Sequence, residues 1–372
     1  MALGELVAWV SLVMIGSAGL SYILAYFSHF LAIRYQVLDI PHGERKIHDK
    51  PIPLWGGTGI ALALGLTVIV MGGVGLLASN RVSVWQLVGF LAGLVVLTVG
   101  GMLDDKYNLK PSQSILFPIF AALVVVITGT TIGHITHPGT AQAWFLDWWT
   151  WRPFEGFVGG GLGAWRLSLP SDLLTFMWIL VATYATKISD GLDGLVVGIA
   201  IIGAGMVGTL SAMPVYYQPF SSLLAAAMVG SFVGFLPRNF HPAKQFLGEG
   251  GSTMAGYCLG FLAVVSSAKI AIALAVLAVP LFDVAFVALR RIMTGHKWYA
   301  GDKDSHLHFR LLGAGLPHGK VVLVLWLVSA LAGVLALFLQ TQGKIFLVFA
   351  LATLTLLASW WAGAAMRRKS HG

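Results

Sequence analysis

Charged residues are scarce in this chain of 372 residues. Asp, Glu, Lys and Arg together make up 10% of it, whereas 57% of the residues are hydrophobic and the mean hydropathy is +0.83. Soluble domains carry about 25% charged residues, so this composition excludes a soluble domain of such length. Cysteine is also nearly absent: the one residue, Cys258, lies in an apolar run, which excludes a disulfide framework and argues against a reactive thiol.

What the chain has instead is a series of apolar runs of about 17 to 25 residues, rather than the short alternating strands of a barrel. A helix needs about 20 apolar residues to cross about 30 Å of hydrocarbon, so each run is long enough to span a membrane. We therefore predict an all-α polytopic integral membrane protein, with residues 1–372 forming a single membrane domain. The eleven predicted spans are 5–31, 54–78, 83–103, 113–133, 171–187, 195–213, 220–236, 252–267, 269–290, 320–340 and 344–365.

The formal net charge of +8 comes from basic residues that collect on one side of the predicted spans, where 18 of the 23 Lys and Arg residues fall. Cytoplasmic loops of membrane proteins carry such an excess, so the charge needs no nucleic acid partner. The rule places the N-terminus outside and the C-terminus in the cytoplasm. The predicted cytoplasmic loops are 32–53, 104–112, 187–194, 237–251 and 290–320.

The predicted external segment 134–170 differs from the other loops in its tryptophans. Tryptophan combines an apolar ring with an N–H donor, and it is enriched where membrane meets water. We therefore expect a short interfacial hairpin with a structural role. Its tryptophans are Trp144, Trp148, Trp149, Trp151 and Trp165.

The segment 187–194, K-I-S-D-G-L-D-G, interrupts the hydrophobic pattern at an expected membrane edge. Asp190 and Asp193 are three residues apart, and the glycine after each leaves room for a ligand close to the backbone. Acids next to apolar spans are costly and need a reason. Read by itself, the segment is equally compatible with a polar loop that caps two helices.

Further polar clusters lie at other cytoplasmic span ends. Asp104 and Asp105 are adjacent carboxylates, which repel each other unless they share a cation or a proton. The basic segment 45–51 suits either a phosphate or topology-setting charge. The segment 239–252 enters a helix through glycines whose free amides suit a phosphate. Each cluster is a weak signal, but all of them fall on the face that the Lys and Arg count assigns to the cytoplasm.

The loop 290–320 adds His306, His308 and Arg310. Two histidines at this spacing are thin support for zinc, and the nearby Arg310 favours an anionic ligand.

Acids beside glycines, basic loops and a membrane-edge setting suit transfer of a phosphate-linked group between a soluble donor and a lipid. Mg²⁺ binds one or two carboxylates together with substrate phosphate oxygens, so scattered acids are the expected protein contribution. A transporter would carry its charges near the bilayer midplane instead. A membrane scaffold would have no need of acids on one face.

Taken in order, the motifs resemble those of the polyprenyl-phosphate N-acetylhexosamine-1-phosphate transferases, over about residues 34–340. That family includes bacterial enzymes that start O-antigen, enterobacterial common antigen and teichoic acid chains, and the phospho-MurNAc-pentapeptide translocase. The motifs are R-K-I-H-D-K-P-I-P-x-x-G-G, G-x-x-D-D, D-G-x-D-G-L, N-F-x-P-A-K-x-F-L-G-x-G-G-S and H-L-H-F-R-L-L.

The resemblance implies transfer of a sugar-1-phosphate from a UDP-N-acetylhexosamine to undecaprenyl or another polyprenyl phosphate, with release of UMP. It implies Mg²⁺ as the cofactor, with Mn²⁺ as a substitute, and a cytoplasm-facing site in the bacterial plasma membrane, surrounded by membrane lipids. Homodimers occur among such proteins.

The resemblance also implies roles for single residues. It makes the paired acids and the two acids of the third motif catalytic, assigns the metal to Glu249 and Asp190, and stacks Phe246 on uracil. The catalytic set is Asp104, Asp105, Asp190 and Asp193. The other substrate contacts are Asn239, Lys46, Lys50, Lys187, His306, His308 and Arg310.

Several positions depart from the family pattern, which usually has Asn at Lys187 and Tyr184, Asp at Glu249 and often His at Phe309. A Glu ligand is one methylene longer, and Mg²⁺ tolerates little misplacement. We expect Glu249 still to bind Mg²⁺, helped by the two glycines that follow it, and Lys187 to add positive charge near the donor diphosphate.

The H-L-H and R-K-I-H-x-K-P-I-P forms favour UDP-GlcNAc as the donor. Another UDP-N-acetylhexosamine and the phospho-MurNAc-pentapeptide reaction are the enzymatic alternatives. An inactive homologue and a transporter are the non-enzymatic ones.

Overall fold

The apolar runs fold into helices in the computed structural model, which describes residues 2–41, 50–77, 82–137, 142–151, 167–266, 270–295 and 306–370. Short two-stranded ladders connect some of them. The described helices are α1 Leu3–Arg34, α2 Gly56–Gly73, α3 Val84–Tyr107, α4 Pro111–Ser114, α5 Leu116–Ile127, α6 Ser171–Ser189, α7 Leu195–Ala212, α8 Pro219–Asn239, α9 Gly248–Val265, α10 Ile270–Val276, α11 Ala278–Met293, α12 Leu307–Gly313, α13 His318–Phe338 and α14 Thr341–Ser370. The strands are β1 Leu38–Asp39, β2 Ile52–Pro53, β3 His134–Thr136, β4 Ala143–Phe145, β5 Trp149–Trp151 and β6 Leu167–Leu169.

The predicted class, an all-α polytopic membrane protein, is confirmed, and a helix lies within each of the eleven predicted spans. Within the described ranges, seven helices are long and apolar enough to cross a membrane, or eight if the pair α10 and α11 forms one span. The count of eleven therefore stays a prediction. Helices α6 and α9 carry polar residues at the ends that meet the site described below, and α5 is short.

The predicted span 269–290 is bent by 69° between α10 and α11. Pro280 lies in the first turn of α11 and has no N–H to donate to the carbonyl of Val276, four residues earlier. A missing hydrogen bond of this kind is a common origin of sharp helix kinks, so the sequence itself accounts for the break.

Helix α9 lies at the centre of the bundle, in contact with α2, α3, α6, α7 and α10. From Gly251 to Val264 every residue is buried. Phe90 of α3 stacks on Tyr257 and Phe261 of α9, and the Tyr257 hydroxyl donates to the Phe90 carbonyl oxygen at 2.9 Å. Since the phenolic hydroxyl is satisfied inside the core, this large side chain is buried without an unpaired donor.

Two glycine pairs let α9 approach its neighbours closely where the site lies. Gly250 faces Gly101 of α3, and Gly251 faces Gly57 of α2, and a Cβ at Gly101 or Gly57 would overlap the backbone opposite. Small residues at helix interfaces in membranes allow backbones to pack directly against each other. The first turn of α9 is thereby fixed next to the end of α3 and the start of α2.

The outer helices present large apolar side chains to the surroundings. Ile15, Ile23 and Phe30 of α1 and Phe346 and Phe349 of α14 are exposed. Without a partner, such belts would be unfavourable in water, whereas they match lipid acyl chains.

The Trp-rich segment, which we predict to be external, forms two antiparallel ladders within its described part, β3 with β4 and β5 with β6. Trp148 is the most exposed of its rings, and the Trp148 indole N–H donates to the Phe145 carbonyl oxygen at 2.8 Å. Trp165 lies outside the described residues. The exposed rings are compatible with the predicted position in the headgroup layer.

Candidate active site

Helix ends enclose a cleft of about 1370 Å³. It is formed by the last turns of α3, α6 and α8, the first turns of α9 and α13, and the β1–β2 ladder. Residues that are distant in sequence meet here because α9 packs at the centre of the bundle. The predicted site residues on the cleft wall are Asp104, Asp105, Asp190, Asp193, Asn239, Phe246, Glu249, Lys50 and Lys187.

The two adjacent acids at the end of α3 make different contacts. Asp104 accepts hydrogen bonds from the Leu109 N–H at 3.0 Å and from the Ser114 hydroxyl at 2.5 Å, so it orders the turn into α4. Asp105 accepts the backbone N–H of Glu249 at 2.9 Å and thereby joins α3 to the first turn of α9. Asp104 thus serves the chain turn after α3, while Asp105 contacts the first turn of α9, which carries the acid expected to bind metal.

Glu249 forms an ion pair with Lys187, whose Nζ lies 2.7 Å from the Glu249 Oε2 atom. The Lys187 ammonium also donates to the Ser114 hydroxyl at 3.1 Å. It therefore sits between two acids, Glu249 directly and Asp104 through Ser114. A positive charge at this point offsets part of the repulsion among the carboxylates that share the cleft.

The D-G-L-D-G segment forms the loop between α6 and α7. Asp190 directly follows the last residue of α6. Its side chain is exposed to the cleft, while protein packs around the rest of the loop. Burial, and then the nearby carboxylates of Glu249, Asp105 and Asp193, raise the pKa of Asp190 to about 8. A cation bound in the cleft would offset the repulsion among these carboxylates and stabilise the ionised form of Asp190.

Only glycine fits at position 191, because α12 packs directly against it. A Cβ there would overlap the His308 ring and approach Phe309. His308 is 3% exposed and lies beneath the loop. The glycine of the motif therefore places the loop onto the His-rich helix, in addition to leaving space for a ligand.

Asp193 and Asn239 connect the loop to the segment before α9. The Asp193 Oδ2 atom accepts the Ala243 N–H at 3.1 Å and lies 2.8 Å from His241 Nδ1. Asn239 accepts the Gly194 N–H at 3.1 Å and donates to the Gln245 carbonyl oxygen at 3.1 Å. Asn239 is 3% exposed, and these contacts position the loop.

Phe246 is held by its backbone, which accepts the Gly56 N–H at 3.0 Å and donates to the Pro53 carbonyl oxygen at 2.9 Å. Its half-buried side chain lines the cleft, as a ring that stacks on a base must. Lys50 is exposed on the same wall. Lys46 lies outside the described residues.

The His-rich motif is only partly where the resemblance implied. His306 Nδ1 lies 2.9 Å from the Asp283 Oδ2 atom, and Arg310 donates to the carbonyl oxygen and the hydroxyl of Ser359 at 3.0 Å. Among the described residues neither His306, His308 nor Arg310 forms part of the cleft wall, whereas Phe309 does. The contact of these three side chains with donor phosphates stays a prediction; in the structure His306 contacts Asp283 and Arg310 contacts Ser359.

Three residues that contact predicted site residues were not singled out from the sequence: Asp283, His241 and His318. Asp283 is a 4% exposed acid within the predicted span 269–290, and an acid in an apolar span was the available signal. His241 stands in the fourth motif, N-F-H-P-A-K, at a position the motif leaves open, and His318 precedes the tenth span. Nothing in the sequence indicated that both histidines would lie beside Asp193.

Comparison with known proteins gives consistent matches. A family model described as glycosyl transferase family 4 matches residues 87–267, a segment that contains Asp104, Asp105, Asp190, Asp193 and Glu249 of the cleft wall. A Bacillus subtilis (strain 168) protein named "probable undecaprenyl-phosphate N-acetylglucosaminyl 1-phosphate transferase" is 31% identical over 330 residues, or 86% of this chain and 83% of the relative. A Mycobacterium leprae (strain TN) decaprenyl-phosphate N-acetylglucosaminephosphotransferase is 30% identical over 346 residues, or 86% and 80%. A Moorella thermoacetica phospho-N-acetylmuramoyl-pentapeptide-transferase is 31% identical over 179 residues, or 48% and 55%.

The Bacillus subtilis match covers more than four fifths of both chains, and the motifs that carry the resemblance are the ones that meet in the cleft. The chain belongs to glycosyl transferase family 4.

Proposed function

We propose that this protein transfers N-acetylhexosamine-1-phosphate, with GlcNAc-1-phosphate as the first choice, from a UDP-sugar to undecaprenyl or another polyprenyl phosphate. The observation that carries the proposal is the meeting of five acids from α3, the α6–α7 loop and α9 in one cleft, with Phe246 on its wall. The relatives that match most of the chain are named for N-acetylglucosamine phosphate transfer, whereas the matched muramoyl-pentapeptide enzyme covers about half of it.

In this reaction an oxygen of the lipid phosphate attacks the β-phosphorus of the UDP-sugar. The bond from that phosphorus to the bridging oxygen breaks, and UMP leaves with the bridging oxygen. Positioning and charge neutralisation account for most of the rate in phosphoryl transfer. Here Phe246 binds the uracil ring by stacking, Lys187 and Lys50 draw phosphates into the cleft, and Asp105 orients the acceptor phosphate or takes its proton.

The cleft fits a divalent cation, for which Mg²⁺ is our proposal. The Glu249 Oε2 atom is buried and pairs with Lys187, while Asp190 would be ionised more readily beside a cation. Glu249 and Asp190 would hold the ion, with Asp105 close by. When bound, Mg²⁺ neutralises diphosphate oxygens and stabilises the leaving UMP.

Glu249→Gln is expected to weaken Mg²⁺ binding at least tenfold and to lower the transfer rate in parallel. The amide matches the carboxylate in shape, so the variant removes the charge and leaves the packing. Calorimetric Mg²⁺ titration and transfer rates measure both effects. Glu5→Gln, at the far end of α1, is the matched control. Unchanged activity and unchanged Mg²⁺ dependence in Glu249→Gln would show the metal assignment to be wrong.

Lys187→Met is expected to tighten Mg²⁺ binding in the absence of donor and to raise the KM for the UDP-sugar about tenfold. Removal of the ammonium frees Glu249 as a metal ligand and deletes a charge-assisted contact worth about 1.5–3 kcal/mol to a phosphate. Lys106→Met is the control, because Lys106 adjoins the acids in sequence but lies over the Tyr35 and Tyr107 rings. If neither quantity changes, Lys187 serves the fold and has no part in binding.

The protein is embedded in a membrane, and we propose the bacterial plasma membrane with the cleft on the cytoplasmic side. The Lys and Arg distribution supports this orientation, with the N-terminus outside and the C-terminus inside. Membrane lipids surround the outer helices, and a homodimer is the proposed assembly.

The proposed function is tested by transfer of label from UDP-[³²P-β]GlcNAc into lipid, with purified protein, undecaprenyl phosphate and Mg²⁺. We expect labelled lipid and an equal amount of UMP, both lost with EDTA. If UMP were released with another UDP-sugar but not with UDP-GlcNAc, the proposed reaction type would stand and the proposed donor would be wrong. No product with any donor would favour the inactive homologue or the transporter.

A further inference from the structure

Three side chains on the cleft wall form a group that shares Asp193 with the cleft acids and contains neither of the proposed Mg²⁺ ligands, Glu249 and Asp190. Asp193, His241 and His318 each offer one ligand atom, and these atoms lie within 4.8 Å of one another. They come from the α6–α7 loop, the segment before α9 and the start of α13, so the tertiary fold brings them together.

The Asp193–His241 contact is close in length to one edge of a metal site. The Asp193 Oδ2 atom lies 2.8 Å from His241 Nδ1. Two ligands at about 2.0–2.2 Å from a shared tetrahedral zinc ion are about 3.3–3.6 Å apart, so this pair would have to separate by about 0.5–0.8 Å to coordinate the ion. The Ala243 N–H donates to Asp193 at 3.1 Å and fixes the carboxylate from behind.

His318 supplies an independent observation. Both of its ring nitrogens are buried, and the ring interacts with the backbone and the charge of Asp193. Asp193 is therefore next to both histidines. The His318 ring stacks on His241 with centroids 3.9 Å apart and planes at 13°. Two stacked imidazoles therefore lie beside one carboxylate, with potential ligand atoms from all three side chains close together.

We propose that Asp193, His241 and His318 bind a borderline divalent transition-metal ion such as Zn²⁺ or Co²⁺. Two imidazoles and one carboxylate favour such ions, whereas Mg²⁺ prefers oxygen ligands. The site therefore differs from the proposed Mg²⁺ site both in its ligand residues and in the metal that it selects. For both rings to face one ion they rotate about χ2, a torsion with a broad energy well in histidine. His241 is 40% exposed in its side chain and has room to turn.

An ion at this site would occupy the end of the cleft where Asp193 lies and fix that carboxylate. We therefore expect micromolar Zn²⁺ to inhibit donor binding. This inhibition rests on the proposed function, whereas binding of the ion to the three side chains is independent of it.

The test is titration of the purified full-length protein with Co²⁺ under saturating Mg²⁺, followed by the visible ligand-field absorption of Co²⁺. We expect one Co²⁺ per chain at micromolar concentration, displaced by Zn²⁺, and at least tenfold weaker binding in His241→Asn and in His318→Gln. His29→Asn is the matched control, because His29 lines the same cleft outside the group, and it should bind as the unmodified protein does.

Absence of a Co²⁺ band up to millimolar concentration would overturn the proposal, and so would an unchanged band in the double variant His241→Asn/His318→Gln. Mg²⁺ titration of the same variants shows that the cleft is intact. A second arm measures Zn²⁺ inhibition of transfer, which His241→Asn should relieve at least tenfold. Co²⁺ binding without any transfer activity would sustain the site and reject the proposed function, so the two failures are distinguishable.

Discussion

Asp105→Asn is expected to lower the rate of sugar-1-phosphate transfer by about a thousandfold, with little change in thermal stability. The Asn oxygen still accepts the Glu249 N–H, so the link between α3 and α9 survives. What disappears is a negative charge beside the proposed positions of the acceptor phosphate and the cation. Loss of a positioned acid–base or electrostatic group typically costs about 10²–10⁴ in rate.

The measurement is the initial rate of labelled lipid formation together with a melting curve in detergent. Asp147→Asn, an acid in the segment predicted to be external, is the matched control and should retain full activity. Asp104→Asn should differ from both, since Asp104 orders the turn to Ser114 and its loss should lower stability as well as rate. A fully active Asp105→Asn enzyme would remove Asp105 from the mechanism.

Gly101→Ala is expected to destabilise the protein by about 1–3 kcal/mol and to disrupt the cleft. The added Cβ overlaps the Gly250 backbone, which no side-chain rotation relieves. Helix α9 must then move away from α3, and Glu249, the neighbour of Gly250, moves with it. Both the melting temperature and the Mg²⁺ affinity should fall.

Gly72→Ala is the control for Gly101→Ala, because it makes the same change in a helix where nothing lies within 4 Å of the new Cβ. Alanine is the better helix former, so this variant should melt at the same temperature or slightly higher. Equal melting temperatures for the two variants would mean that the α3–α9 contact is less tight than the structure indicates.

The sequence was sufficient to predict the membrane class, the position of the helices and the acids that meet in the cleft. Those features depend on hydrophobic run length and on residues that recur in a fixed order, both of which are local properties. That these acids would lie close together followed from one assumption, namely that all polar span ends lie on the same face of the membrane. The contact between Asp105 and Glu249 agrees with this assumption.

The partners of individual side chains were beyond the sequence. Lys187 was expected to face the donor, yet in the absence of substrate its ammonium pairs with Glu249. His306 and Arg310 were expected in the cleft, yet a buried acid and a serine outside it hold them. Such contacts depend on a few ångströms of helix packing, for which residue type and spacing carry no information.

The cleft opens where the helices end, and this has a kinetic consequence. In the proposed reaction the acceptor diffuses in two dimensions within the bilayer, while the donor arrives in three dimensions from water. Dilution of the whole suspension, vesicles and donor together, would then lower only the frequency at which the enzyme meets the nucleotide sugar. Addition of inert lipid to the vesicles would lower only the frequency at which it meets the polyprenyl phosphate. The enzyme has two concentration scales, one per volume and one per area.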